Sequence, residues 1–201
     1  MIPFRDCLTR YLSSAQLATI ERTRIGIAGA GGLGSNIALS LIRSGFIHFE
    51  IIDHDHIEAS NLNRQQYLLS DIGKSKAPCL KEKLLAINPD AHIAAHEVRL
   101  TPENTTSHFQ NVDILFEAFD RAESKKMLIE AYSTTKAIII AGNGLAGLHM
   151  TPLPIRKVHS RLYIVGDGVS GIGIDQPPLA PKVMVCAATM AGIALELTCQ
   201  K

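Results

Sequence analysis

The chain has almost no net charge. Its 20 Lys and Arg stand against 19 Asp and Glu, leaving +1 with histidine neutral. Nucleic acids and anionic membranes are bound by many clustered cations that displace counterions, so a balanced sequence offers no field for generic DNA or membrane binding, although a local basic pocket stays possible. Cysteine is also scarce. Cys7, Cys79, Cys186 and Cys199 are widely separated and form no C-x-x-C pair, so spacing supports neither a zinc knuckle nor a dithiol redox motif, and two disulfides are arithmetically possible but unsupported. Long apolar runs are missing as well. No stretch approaches the roughly 18 uninterrupted apolar residues of a spanning helix, and charges break up the opening MIPFRDCLTRYLSS, where a signal peptide would need an apolar core. The expected setting is the reducing cytoplasm.

What is present suits one compact domain. With 201 residues, 46% of them apolar, the chain can bury a core without disulfide or metal staples, and its composition argues against intrinsic disorder. No repeat, low-complexity tract or linker divides it, so residues 1–201 are expected to form a single domain.

The organisation is an alternation of strand and helix patterns. IGIAG (25–29) reads as a strand, 33 to about 43 as a helix, and FEIID as a strand ending at Asp53. Residues 54–73 are polar and long for a connection, a length at which loops are commonly functional. SKAPCLKEKLLAINP has apolar residues at Leu80, Leu84 and Ile87, a helical spacing that stops before Pro89. A strand over 92–98, a short helix over about 102–110, a buried strand ending near Ala118, a helix over 121–133 and a strand over 137–143 follow. Such alternation predicts an α/β, doubly wound (Rossmann-like), mostly parallel sheet covered on both faces. From 145 to 181 glycine and proline become frequent, which predicts a long crossover or a small antiparallel extension, with RLYIVG as one more strand. The nearly apolar VMVCAATMAGIALELT reads as a buried terminal helix of about 16 residues, too short to favour a membrane span.

Gly29-Ala30-Gly31-Gly32-Leu33-Gly34 matches G-x-G-x-x-G between a strand and a helix, the context in which the glycines permit a tight turn and let a phosphate approach the helix N-terminus. Asp53, 19 residues beyond Gly34, is placed to accept hydrogen bonds from ribose hydroxyls, or to cap the turn that follows. This pattern predicts nucleotide binding without choosing between ATP and a nicotinamide cofactor. No histidine stands in a recognisable hydride-transfer position, and His54 and His56 read equally well as loop residues. Arg64 in NLNRQ, Lys76 in GKSKA and Asp120 in EAFDRAES supply two cations and a carboxylate able to hold magnesium, the parts needed to handle a polyphosphate. Lys74 rivals Lys76, and Asp120 reads alternatively as a helix N-cap.

At these residues the sequence resembles the ThiF/MoeB/HesA superfamily of adenylating enzymes. GAGGLGS, IIDHD, the S-N-L-N-R-Q block at 60–65, GKSKA and Asp120 occur in that family's order, and the tail (YIVGDGVS, then PLAPKVMVCAA) resembles the compact ThiF-type members of thiamine biosynthesis. The resemblance implies that Gly29, Gly31, Gly32 and Gly34 cradle ATP phosphate, that Asp53 holds the ribose, that Arg64, Lys76 and Asn61 bind the polyphosphate, and that Asp120 ligates Mg2+. It implies a homodimer that adenylates the C-terminal Gly-Gly carboxylate of a ubiquitin-like sulfur carrier, docked around 145–180, with a cysteine desulfurase supplying sulfur. Rival readings are an NAD(P)-dependent oxidoreductase and a non-catalytic nucleotide-sensing or carrier-docking protein.

The sequence departs from that pattern in three places. It has no paired C-x-x-C motifs, so no structural zinc is expected. No cysteine lies between Cys79 and Cys186, and Cys186, in the apolar terminal helix, is expected to be a buried inert thiol rather than a sulfur-transfer group. Finally, the R-Y-x-R-Q segment that sends an arginine into a partner's site ends here at Arg10-Tyr11, leaving Arg5 or Arg10 as substitutes.

Overall fold

The computed structural model describes residues 3–150, 152–170 and 176–200. Seven strands form one sheet: β1 Arg24–Ala28, β2 His48–Ile52, β3 His92–His96, β4 Ile114–Glu117, β5 Ile138–Gly142, β6 Ile155–His159 and β7 Leu162–Val165. Their spatial order is β3-β2-β1-β4-β5-β7-β6. All neighbours are parallel except β6 and β7, which form the antiparallel extension expected after residue 145. Strand order reverses at β1, flanked by β2 on one side and β4 on the other, and ligands of open α/β sheets bind at such a switch point.

Among the described residues six α-helices accompany the sheet: α1 Phe4–Leu8, α2 Ser14–Arg22, α3 Gly32–Arg43, α4 Lys76–Ile87, α5 Ala122–Tyr132 and α6 Ala180–Cys199. On one face Ile25, Ile27, Phe49, Ile51 and Phe116 meet Ile37 and Leu41 of α3, Leu80 and Leu84 of α4, and Met190 and Ala194 of α6 in one core. On the other, Ala28, Ile52, Leu115 and Ile139 meet Leu128 and Tyr132 of α5. α6 has 20 residues, so length and composition alone would let it cross a membrane, but half of it is buried in the protein and its Val183, Cys186 and Met190 belong to the core. Its exposed side, with Met184 and Val185, makes it less uniformly buried than its sequence predicts. The short N-terminal helices carry a readable signal, since Ser13 and Gln16 form a reciprocal capping box at the start of α2.

Two expectations are corrected. The helix expected over 102–110 is a single 3-10 turn at Thr105–Ser107. Its polar side chains bond to their own backbone: Thr105 Oγ1 donates to the Thr101 carbonyl, Ser107 Oγ donates to that of Asn104, and Asn104 Oδ1 accepts the Thr101 N–H. Such local bonds compete with a helix. Phe109 follows at φ +50°, outside helical space. The second correction is a consequence of the first. The sheet is not covered on both faces throughout, because the β2–β3 wing on the α5 side has no α-helix over it among the described residues, and β3 alternates exposed His92 and Ala94 with buried Ile93.

Candidate nucleotide-binding site

The glycine turn sits at the switch point. Gly29, at φ +101°, turns the chain out of β1, and a Cβ there would meet the Ala118 carbonyl oxygen at 2.9 Å. Gly34 lies so close to that turn that a Cβ would stand 1.8 Å from the Gly29 carbonyl oxygen. At Gly31 the side-chain direction is open, with Gln65 Nε2 the nearest atom at 3.7 Å. The first amide of α3 to find a backbone acceptor is Ser35, bonded to the Gly31 carbonyl at 3.0 Å. The N–H groups before it are left facing outward at the positive end of the helix, where an anion is favoured. Asp53 braces this turn: Oδ2 accepts the Ala30 N–H at 2.6 Å and Oδ1 the Asp55 N–H at 2.8 Å. It therefore stabilises the turn after β2 while lining the cleft, and each oxygen keeps a lone pair for a ligand. Burial pushes its carboxyl up, against the pull of those two N–H donors.

The polar segment 54–73 is clamped against α3. Asn36 Nδ2 donates to the carbonyls of Gly32 and Arg64 while its Oδ1 accepts from Gln66, and Tyr67 donates its hydroxyl to the Ala30 and Lys76 carbonyls. Burial pushes the Tyr67 hydroxyl well up, so it stays a donor. This clamp brings Asn61, Arg64 and Gln65 to the cleft beside the glycine turn. Asn61 is buried and accepts the Glu58 N–H, which shapes the loop. Arg64 Nη1 donates to Asn63 Oδ1 at 2.7 Å and to the Ser60 carbonyl at 3.3 Å; burial lowers its guanidinium pKa while nearby Asp120 opposes the shift. Gln65 is buried, with an Oε1 that has no partner among the described residues.

Between the two lysines the structure chooses Lys76. Lys74 is exposed and paired with Asp71, whereas Lys76 is buried, lines the cleft and holds Asp55 Oδ2 at 2.9 Å. Burial works against the Asp55 carboxylate, but its hydrogen bond and ion pair with Lys76 outweigh this and hold it below the usual range.

The opposite wall begins where β4 ends. Asp120 is exposed and lines the cleft; the cap position of α5 is Arg121, which makes no side-chain cap bond, so Asp120 does not serve as the N-cap. Beneath it lies an ion pair that sequence reasoning missed. Glu117 is fully buried; its two oxygens accept from Lys125 Nζ at 3.2 and 3.0 Å, and Lys125 also donates to the Gly142 carbonyl at 2.8 Å. Burial pushes the Glu117 carboxyl up against the opposing pull of Lys125. An acid inside the run VDILFEAFD was the available signal, since a buried carboxylate requires a partner. Asn143, Gly144, Ser170 and Val183 close the far side, giving a cleft of about 870 Å³.

The remaining candidates take other places. His54 and His56 line the cleft mouth in exposed positions, and Asp53, His54 and Asp55 offer donor atoms within 4.8 Å of one another. Asp120 stands apart from that group, an exposed carboxylate with no ion pair among the described residues. A carboxylate lining the cleft is a donor of the type magnesium takes, one or two at a time beside several waters. Cys186 is fully buried in α6 and burial pushes its thiol up to about 12, as suits an inert core residue. Arg5 is engaged with Glu21 at 2.7 Å, while Arg10 is exposed.

A family model described as the ThiF family matches residues 5–173. Probable adenylyltransferase/sulfurtransferase MoeZ of Mycobacterium tuberculosis is 32% identical over 124 residues, 61% of this chain and 30% of that protein. The sulfur carrier protein adenylyltransferase of Thermus thermophilus is 32% identical over 113 residues, 56% of this chain and 42% of its own length. The chain thus spans less than half the length of these curated relatives. Among solved structures, the E. coli tRNA N6-threonylcarbamoyladenosine dehydratase TcdA in complex with AMP superposes with TM-score 0.84 at 20% identity, covering 96% of this chain and 93% of that one. E. coli MccB with ATP gives 0.73 at 20% identity, over 92% and 59%. At such identities the structures speak for the shared fold, whereas the family match runs from α1 through the glycine turn and the cleft loops to beyond β7. The chain belongs to the ThiF family.

Proposed function

We propose that this protein is an ATP-dependent adenylyltransferase that activates the C-terminal Gly-Gly carboxylate of a small ubiquitin-like sulfur carrier of thiamine biosynthesis. The observation that carries this reading is the convergence, in one cleft, of the unpaired α3 N-terminus with Arg64, Lys76 and Asp120. The adenylyltransferase names of the matched relatives support the reaction class. In the reaction, a carrier carboxylate oxygen forms a bond to the α-phosphorus of ATP as the bond to the β-phosphate oxygen breaks, yielding acyl-AMP and pyrophosphate. No enzyme nucleophile is needed.

The work of the protein is then positioning and electrostatics. The α3 N–H groups and the glycine turn hold phosphate, Asn61 and Arg64 orient the polyphosphate, and Asp53 takes the ribose with its remaining lone pairs. Lys76 and Arg64 oppose carboxylate–phosphate repulsion and the charge building on pyrophosphate. Asp120 would hold a magnesium ion, which when bound adds further neutralisation there. Glu117 and Lys125 act beneath, as positioning residues for the wall that carries Asp120. Exposed Leu148, Met150 and Val169 offer the carrier an apolar landing area within 145–180, of which residue 151 and residues 171–175 lie outside the described residues. A homodimer and a cysteine desulfurase complete the proposed assembly.

ATP–pyrophosphate exchange with candidate Gly-Gly carriers tests the reading. Exchange with a thiamine-type carrier, and none with a molybdopterin-type one, supports it in full. A folded protein that exchanges with no Gly-Gly carrier overturns it.

A further inference from the structure

Four of the eight histidines gather around the uncovered wing of the sheet, away from the nucleotide cleft. In β2, His48 and Glu50 share a face, as do His92 and His96 in the parallel β3, because side chains two apart lie on one side. His48 and His92 are register partners whose rings stack at 5.0 Å and 11°. Two residues further along β2, Glu50 Oε1 lies 4.0 Å from His96 Nε2 and 3.8 Å from Nδ1 of His108, which reaches in from the 3-10 turn. The His96 and His108 ring centroids are 5.7 Å apart.

The carboxylate is aimed rather than loose. Glu50 Oε2 accepts the Phe109 N–H at 3.1 Å, which leaves Oε1 turned toward the two imidazoles. The backbone beside His108 is also fixed, since the buried Tyr132 hydroxyl donates to the carbonyls of Thr105 and His108. Phe109, held by Glu50, is the one non-glycine residue with positive φ among those described. Such a conformation persists only where its surroundings enforce it.

We propose that Glu50, His96 and His108 form a binding site for a divalent transition-metal ion of the zinc class, with water completing the shell. Two imidazoles and a carboxylate are a donor set that zinc accepts. Donor atoms at about 2.0–2.2 Å from one tetrahedral ion stand about 3.3 Å from each other, and two bound imidazole centroids about 5 Å apart. The observed separations exceed these by less than 1 Å at both Glu50 contacts and between the rings, while the His96 and His108 nitrogens stand more than 4.8 Å apart. A turn of the His96 side chain, 42% exposed, brings its nitrogen toward that of His108. None of the three residues lines the cleft, so the site is independent of the proposed adenylation.

The test is calorimetric titration of the full chain with Zn2+ in magnesium-containing, nucleotide-free buffer, with Co2+ absorption as a second reading of coordination. One Zn2+ per chain is expected, weakened about tenfold or more by His96→Ala, His108→Ala and Glu50→Gln. Glu50→Gln keeps an acceptor for the Phe109 N–H, and His96 is only half-buried, so both variants keep the fold, checked by circular dichroism. His54→Ala, which removes a donor from the Asp53–His54–Asp55 group, leaves binding unchanged. No Zn2+ binding by the wild type, equal binding by the His96 and His108 variants, or loss that follows His54→Ala overturns the proposal.

Discussion

Lys76 and Lys182 are both buried, at 6% and 4% exposed, and each pairs with an aspartate, yet they are wired for different work. Lys182, in the first turn of α6, donates to Asp167 Oδ2 at 3.0 Å, the Ala146 carbonyl at 2.9 Å and Ser170 Oγ at 3.5 Å. Three acceptors meet three protons, and Asp167 is itself bound by the N–H groups of Val169 and Ser170 and by the Ser170 hydroxyl. Among the described residues Lys76 Nζ has one side-chain acceptor, Asp55, and that carboxylate is 52% exposed at the cleft. A saturated buried cation ties the 143–170 segment to α6. A buried cation with one solvent-facing partner can exchange it for a phosphate oxygen at little cost.

The largest expected effect breaks the saturated site. Lys182→Ala leaves the partly buried Asp167 without its cation and should destabilise the fold by about 3 kcal/mol, read from urea or thermal melts. The same truncation at Lys76 should reverse the pattern. Its partner is returned to water, so stability falls by about 1 kcal/mol or less, while ATP–pyrophosphate exchange falls by about 10²–10³, or 2.7–4 kcal/mol in the barrier. If Lys76→Ala unfolds the protein and Lys182→Ala merely slows exchange, the comparison is wrong.

Acid titration sharpens it further. Burial opposes the Asp167 carboxylate, but the Ser170 and Val169 donors and Lys182 outweigh it and hold the carboxyl well below the usual range. Its folded pKa lies under the unfolded value of about 3.9, so the stability it contributes is complete above that value and is lost as pH falls through the folded one. The urea midpoint should therefore drop on acidification below about pH 4, and Asp167→Asn, weaker at pH 7, should flatten the drop. Asp71, held low first by Lys83, keeps a residual slope.

The smallest effect concerns Cys186. Native protein treated with iodoacetamide at pH 8 should be modified at exposed Cys7 and spared at Cys186, and Cys186→Ala should keep exchange activity within about twofold.

Much of the fold was legible in the chain, for identifiable reasons. The β1 run, the glycine turn and Asp53 are local in sequence and carry steric requirements that few residues satisfy, so their geometry follows from their identity. Lys76 stood out from Lys74 only in three dimensions, because two lysines two residues apart differ in which way the loop turns them. Asn36 and Tyr67 look like ordinary helix and loop residues, and their clamping role comes from partners 28 and 37 residues distant. The helix expected over 102–110 failed because local hydrogen bonds of Thr105 and Ser107 outweighed its periodicity.

The sequence by itself determined a parallel α/β domain with a tight glycine turn, a net charge close to zero and cysteines in no pairing pattern, because periodicity, glycine placement and composition act over short spans of chain. Only the tertiary structure decided which cation enters the cleft, that Glu117 and Lys125 pair beneath Asp120, and that one wing of the sheet stays open under a group of histidines. Each of those outcomes depends on burial and on contacts between distant segments, where the cost of an unpaired charge or an uncovered face is settled by what the rest of the chain brings to it.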